Sequence, residues 1–172
     1  MDLNSQIMNK ALSRLDQLLT KPMRLIIGGG GAMVLAYNFP LATSDIDGFP
    51  LDTDMGEFDK LIKKVAKELS IPGDWLNPYF STFTHVLPSD YGSRLKVVGS
   101  FNKLKIEALS VSDLLIMKCF AARQKDVAHA KALIKKGADL KFVEKHLEYL
   151  KERKIPGTER ALEFFDDILD QV

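Results

Sequence analysis

Asp45 and Asp47 flank Ile46 in a stretch, Ser44 to Phe49, that alternates charged and apolar residues. That alternation predicts a β-strand, in which residues two apart face the same side. Both carboxylates would then project together while Ile46 enters the core. Two carboxylates held close repel and desolvate each other, and a hard cation such as Mg²⁺ between them removes that cost. The chemistry on offer is metal-assisted: activation of an attacking hydroxyl and neutralisation of a departing diphosphate. The bland alternative is a solvated strand end, since Asp-x-Asp by itself is common in loops.

A second feature precedes it. Gly28-Gly29-Gly30-Gly31 sits between an apolar run, Met23 to Ile27, and a helix-compatible run, Ala32 to Tyr37. Glycines let a backbone approach a phosphate closely, and a following helix offers free N–H groups and the positive end of its dipole. The run is neither a dinucleotide-binding fingerprint, because Met33 stands where the third glycine belongs, nor a P-loop, because no Gly-Lys-Ser/Thr follows. Alone it reads more readily as a tight turn packing a helix on a strand.

The elements that must position these residues are legible in the pattern. Ile7, Met8, Ala11, Leu12, Leu15, Leu18 and Leu19 make one helical stripe, ended by Pro22. Met23 to Ile27 reads as a buried strand, Gly28 to Gly31 as a turn, Ala32 to Tyr37 as a helix stopped by Pro40, and Ser44 to Phe49 as the next strand. A helix over Met55 to Leu69 follows, then an irregular stretch from Asp74 to Asp90 with a strand within Thr82 to Leu87. Leu95 to Val98 and Leu104 to Leu109 read as a hairpin. Ser110 to Asp113 matches a capping box, and helices are expected over Leu114 onward, Asp126 to Lys136, Leu140 to Lys154 and Glu159 to Leu169. The expected layout is one α+β domain over 1–172: an α/β core to about residue 109, with a mixed sheet flanked by helices, and a helical C-terminal part from about 110.

Strand, glycine turn, short helix and Asp-x-Asp strand, in that order, resemble the nucleotidyltransferase superfamily. There a Gly-Gly or Gly-Ser turn holds the triphosphate and Asp-x-Asp on the next strand holds the metal. The chain also resembles the bacterial abortive-infection and toxin–antitoxin (AbiEii-like) branch in Gly30-Gly31-Ala32, Thr43-Ser44-Asp45-Ile46-Asp47, Trp75-Leu76-Asn77, Leu114-Leu115-Ile116-Met117-Lys118 and Ala121-Ala122-Arg123-Gln124-Lys125-Asp126. The likeness runs from about Leu25 to Leu133. It implies a nucleotidyltransferase-like sheet, phosphates on Gly28, Gly29 and Gly30 with Thr43 and Ser44 beside them, and Mg²⁺ on Asp45 and Asp47. It also implies Lys118 and Arg123 on the nucleotide's phosphate oxygens. Three departures stand out. Leu41 replaces a frequent Arg, His129 replaces a second Asp, and the third carboxylate of active members is matched best, by chain order, by Glu107. Position 107 reads equally as a surface Glu.

Two functions follow as rivals. One is an Mg²⁺-dependent enzyme moving a nucleoside monophosphate from an NTP to a hydroxyl on RNA, protein or a small molecule, with Glu107 activating the acceptor. The other is a catalytically silent member that binds a nucleotide or a partner, for instance a cognate toxin or antitoxin.

Other residue types add less. His129 could act as a ligand or base but reads better as a surface residue, and the Arg123/Asp126 spacing also suits an ordinary helix-end ion pair. His85 and His146 have no partners at zinc spacing. Cys119, amid Met117 and Phe120, reads as packed, and a single cysteine excludes an internal disulfide. Trp75, Tyr79, Phe80 and Phe83 fit core filling better than base stacking. The lysines from Lys131 to Lys154, interrupted by acids, read as solvated helix faces with a weak RNA surface as the alternative. Hydrophobic residues are 46% and charged residues 27% of the 172, and the net charge is +1, so no global field draws the chain to nucleic acid or membrane. With no basic n-region and no apolar run near the roughly 18 residues that span a bilayer, the cytoplasm is the expected compartment.

Overall fold

The computed structural model describes residues 1–172, apart from the side chains of Tyr79, Ser81 and Thr82. The described residues form a mixed five-stranded sheet and seven α-helices, an α+β fold with a helical C-terminal portion. They pack as two compact units: residues 1–82 with 95–109, and residues 83–94 with 110–172.

The first unit opens with α1 (Ser5–Leu18), capped by Asn4, whose side chain accepts from Ile7 N at 2.9 Å. Met8, Ala11, Leu12 and Leu15 form its buried stripe. Strand β1 (Met23–Gly28) leads directly into α2 (Gly29–Tyr37), and β2 (Ile46–Leu51) is followed after three residues by α3 (Met55–Leu69). The expected glycine turn is therefore absent as a separate element: Gly28 ends the strand and Gly29 to Gly31 begin the helix. An apolar helix such as α2 is stable because it is covered on most sides, and Asn38 ends it in the left-handed region at φ 56°.

Strand β3 (Leu76–Asn77) pairs parallel with β2, a two-residue edge that the sequence pattern does not reveal. The hairpin is present as β4 (Lys96–Val98) and β5 (Leu104–Ala108), antiparallel as expected. The strand order is β3-β2-β1-β5-β4, with β1 antiparallel to β2 and parallel to β5. Leu25, Ile27, Ile46, Leu104 and Ile106 are buried on one face. Gly28 pairs with Asp47 and Ile26 with Glu107, so Asp47 and Glu107 stand on the other face, on the two strands that flank β1 and offset by two residues along it.

Asp16 anchors the hairpin loop: its carboxylate accepts from the backbone N–H groups of Asn102, Lys103 and Leu104 at 3.1, 2.7 and 2.8 Å. Burial pushes its carboxyl up, and those donors outweigh it and hold it below the ordinary value. No strand forms within Thr82 to Leu87. The chain winds instead as a 3-10 helix over Pro78–Val86, because Pro78 presets a helical φ and lacks the N–H that a ladder needs.

The second unit contains α4 (Val111–Ala121), α5 (Gln124–Lys135), α6 (Leu140–Glu152) and α7 (Thr158–Leu169). Ser110 caps α4 by accepting from Asp113 N at 3.1 Å, but the capping box is not reciprocal. Buried Asp113 turns instead to the Ser110 hydroxyl at 2.7 Å and to two nitrogens of Arg94 at 3.0 and 2.9 Å. That fork, with His146 Nε2 2.7 Å from Val86 O, ties residues 83–94 to the helices. Among the described residues, no helix is long and apolar enough to cross a membrane.

Candidate functional site

The glycine run and the Asp-x-Asp segment lie against each other. Each glycine meets a different neighbour, and each contact explains why a side chain is missing. A Cβ on Gly28 would clash with Cζ at the tip of the Phe80 ring. One on Gly29 would fall on the Asp47 carboxylate, and Gly29 also has φ +56°, the left-handed region. A Cβ on Gly30 would come within 3.2 Å of Thr43 Oγ1, and one on Gly31 within 3.2 Å of Ile46 Cγ2. Residues 43 to 47 thus run along the first turn of α2, where the helix leaves its unpaired N–H groups.

Three pins hold that segment. Thr43 forms a two-way backbone bridge with Leu3, at 2.7 and 3.2 Å. Ile46 N donates to Trp75 O at 2.8 Å, and the fully buried Trp75 indole donates to Ile62 O on α3 at 2.9 Å. Asn77 Nδ2 donates to Asp47 Oδ1 at 3.0 Å. Trp75 and Phe80 are buried, as core filling requires, whereas Phe83 is 59% exposed and Tyr79 lies outside the described side chains.

Asp45 departs from the expected placement. The strand begins at Ile46, so Asp45 precedes it rather than lying within it. Thr43 pairs instead with Leu3 in an isolated antiparallel bridge outside the sheet. Asp45 and Asp47 are both half-buried, Gly29, Gly30 and Thr43 likewise, and Ser44 is exposed. Among the described residues, no group of three His, Cys, Asp or Glu side chains is arranged to hold a metal ion. Two carboxylates suit Mg²⁺, which commonly takes one or two with substrate phosphates and waters, and do not suit a metal needing three or four protein ligands.

Glu107 is buried on the sheet face that carries Asp47, but its carboxylate turns to Arg24 at 2.8 Å, with Lys105 at 3.8 Å. A cleft of about 600 Å³ opens at the far end of the strands, between Arg24, Leu51, Phe101 and Lys105, away from the glycines.

A family model described as a nucleotidyltransferase of unknown function (DUF6036) matches residues 6–161. The chain belongs to this family. No match to it was found among curated proteins or among solved structures. The match spans Gly28 to Gly31 and Thr43 to Asp47.

In the helical unit of this nucleotidyltransferase-family chain, Lys118 and Arg123 converge on one carboxylate. Fully buried Asp126 accepts from Lys118 Nζ at 2.8 Å and from Arg123 Nε at 2.7 Å. The helix-end pairing of Arg123 with Asp126 is thus present, and buried Lys118 joins it. Burial pushes the Asp126 carboxyl up, but Arg123 and Lys118 overcome it and hold it at about 2. His129 is half-buried rather than a surface residue. Its Nδ1 has no hydrogen-bond partner among the described residues and stands 3.8 Å from Asp126. Burial, then the Lys118 charge, push its imidazole down. Cys119 is buried, and burial raises its thiol to about 12.

Removing Asp126 leaves the Lys118 ammonium, only 7% exposed, without its counter-charge. Asp126→Ala should therefore cost about 3–5 kcal/mol in urea unfolding at neutral pH. The folded carboxyl lies below the ordinary 3.8, so its contribution is full above that value and is lost as pH falls towards about 2. The gap between the unaltered chain and the variant should close over that window.

Proposed function

We propose that the site around Gly29 and Asp47 binds an NTP with Mg²⁺ and transfers its nucleoside monophosphate to a hydroxyl acceptor. The observation that carries this reading is the contact between the Asp47 carboxylate and Gly29 at the start of α2. The Asp47 carboxylate meets a helix N-terminus without side chains at a half-buried place, and Asp45, also half-buried, lies two residues before it on the same segment. Half-buried Gly29 and Gly30 would give a triphosphate close access to the backbone N–H groups of α2, whereas Gly28, expected to join them, is buried beneath Phe80. The hydroxyls of Thr43 and Ser44 lie on the same segment as Asp45 and Asp47. Asp45 and Asp47 would hold Mg²⁺, which when bound neutralises charge on the phosphates and lowers the pKa of a coordinated hydroxyl.

The reaction balances simply. The acceptor oxygen bonds to the α-phosphorus, the bond from that phosphorus to the bridging oxygen breaks, diphosphate leaves, and the acceptor's proton goes to a base. Glu107 is the base that chain order offers. To serve, it must exchange Arg24 for the acceptor, since both ionic contacts of its carboxylate are now cationic. Lys118 and Arg123 bind Asp126 in the helical unit, so no phosphate role is assigned to them in this reading.

The Glu107–Arg24 pair also favours a second reading, a member that binds NTP without transferring it, and one assay separates the two. The chain is incubated with Mg²⁺ and each NTP, labelled at the α- or γ-phosphate, with RNA and protein as acceptors; a cognate toxin or antitoxin would enter as one such protein. Transfer predicts α-label on one acceptor and γ-label released as diphosphate. NTP binding with no labelled acceptor supports the silent reading, and failure to bind any NTP contradicts both.

A further inference from the structure

The residue that orients Asp47 comes from the two-residue edge strand. Asn77 is in register with Asp47 across the β2–β3 pair, and its amide donates to Oδ1 at 3.0 Å. The other oxygen, Oδ2, lies against Gly29. Each carboxylate oxygen therefore has its own neighbour, which fixes the side chain's rotation. The amide's own position is fixed in turn, because β3 follows Trp75, whose indole is bonded to α3 and whose carbonyl accepts from Ile46 N.

We infer that Asn77 is a positioning residue for Asp47, holding the rotation of its carboxylate beside the first turn of α2; this rests on the reading of Asp47 as an Mg²⁺ ligand. An ionised carboxylate only accepts hydrogen bonds, so the partner must be a donor. Asn supplies that donor without a positive charge that would compete with the cation. Glu107 shows the contrast, since its neighbour Arg24 is a cation. A preset ligand also loses less rotational freedom when metal binds, and outer partners of metal ligands are commonly worth about ten- to a hundredfold in affinity.

The test is a titration of the full chain with Mn²⁺ as a hard-cation probe, counting bound ion from the loss of the free-ion paramagnetic resonance signal. The unaltered chain, Asp47→Asn and Asn77→Leu are compared, with the metal-free melting temperature of each recorded. Asn77→Leu should bind Mn²⁺ about tenfold more weakly at a melting temperature close to the unaltered one, and Asp47→Asn more weakly still. A merely structural Asn77 would move the melting temperature and leave the affinity alone. If Asn77→Leu does not fold, Asn77→Ser, which keeps the backbone pairing and shortens the donor, must show the same weakening. Equal Mn²⁺ affinity in a folded Asn77 variant, with Asp47→Asn impaired, overturns this inference and leaves the site intact. No Mn²⁺ binding by the unaltered chain, or full binding by Asp47→Asn, overturns the metal reading of the site itself.

Discussion

Asp47→Asn should lower nucleotidyl transfer on the order of a thousandfold, equivalent to about 4 kcal/mol of transition-state stabilisation, while leaving the fold intact. Asn keeps the size of the side chain and an oxygen for the Asn77 amide to reach, and the position is only half-buried. What disappears is the negative charge that would hold Mg²⁺ beside the phosphates. Asp45→Asn should fall in the same range, although its residue lies ahead of β2 and not in it. Steady-state rates on α-labelled NTP, with melting curves on the same samples, check both. A variant with unchanged melting and more than a tenth of the original rate would remove Asp47 from the metal site.

Gly29→Ala should be the most damaging change of a single methyl group. Alanine at φ +56° costs about 1–2 kcal/mol in backbone strain, and its Cβ would occupy the space of the Asp47 carboxylate. Relief requires either the carboxylate to leave Asn77 or the first turn of α2 to shift. Stability should fall by about 2–4 kcal/mol in urea unfolding, and NTP binding should fall with it. Gly73→Ala is the matched control: a Cβ there meets nothing within 4 Å, so its effect should stay below about 0.5 kcal/mol. Similar losses in the two variants would mean that Gly29 matters only for chain flexibility.

The parts of the fold that the sequence announces are those with a strong local cause. Helix α3 is expected over Met55 to Leu69 and found over those residues, because Asp54 caps its start and its apolar period is regular. The hairpin is equally plain. What stays hidden depends on partners distant in the chain. Leu76 and Asn77 carry no strand signature of their own and become a strand only because β2 offers them an edge. Residues 83–94 join the helical unit through the Arg94–Asp113 fork, which no periodicity reports. Pro78 opens a 3-10 helix over an aromatic-rich stretch in which a strand is expected within Thr82 to Leu87.

The same holds for the site. Coupling the glycine run to Asp45 and Asp47 needs only chain order, and the structure brings Gly29 and Asp47 together. The glycines differ in purpose, which the repeat conceals: Gly28 admits Phe80 and Gly31 admits Ile46, both packing needs, while Gly29 admits the carboxylate. Asn77 could have been found only from the Trp75-Leu76-Asn77 element, because its bond to Asp47 spans two strands. Glu107 illustrates the limit of chain order: it places a carboxylate on the expected strand, and only tertiary structure reveals Arg24 beside it.

The most direct measurement is an amide chemical-shift titration of the isotopically labelled chain with an NTP, in Mg²⁺ and then in chelator. The account predicts the largest shifts at the backbone amides of Gly29, Gly30 and Gly31 and across Ser44 to Asp47, and their collapse when Mg²⁺ is removed. Shifts centred on the cleft around Arg24 and Phe101, with those glycines unmoved, would contradict it.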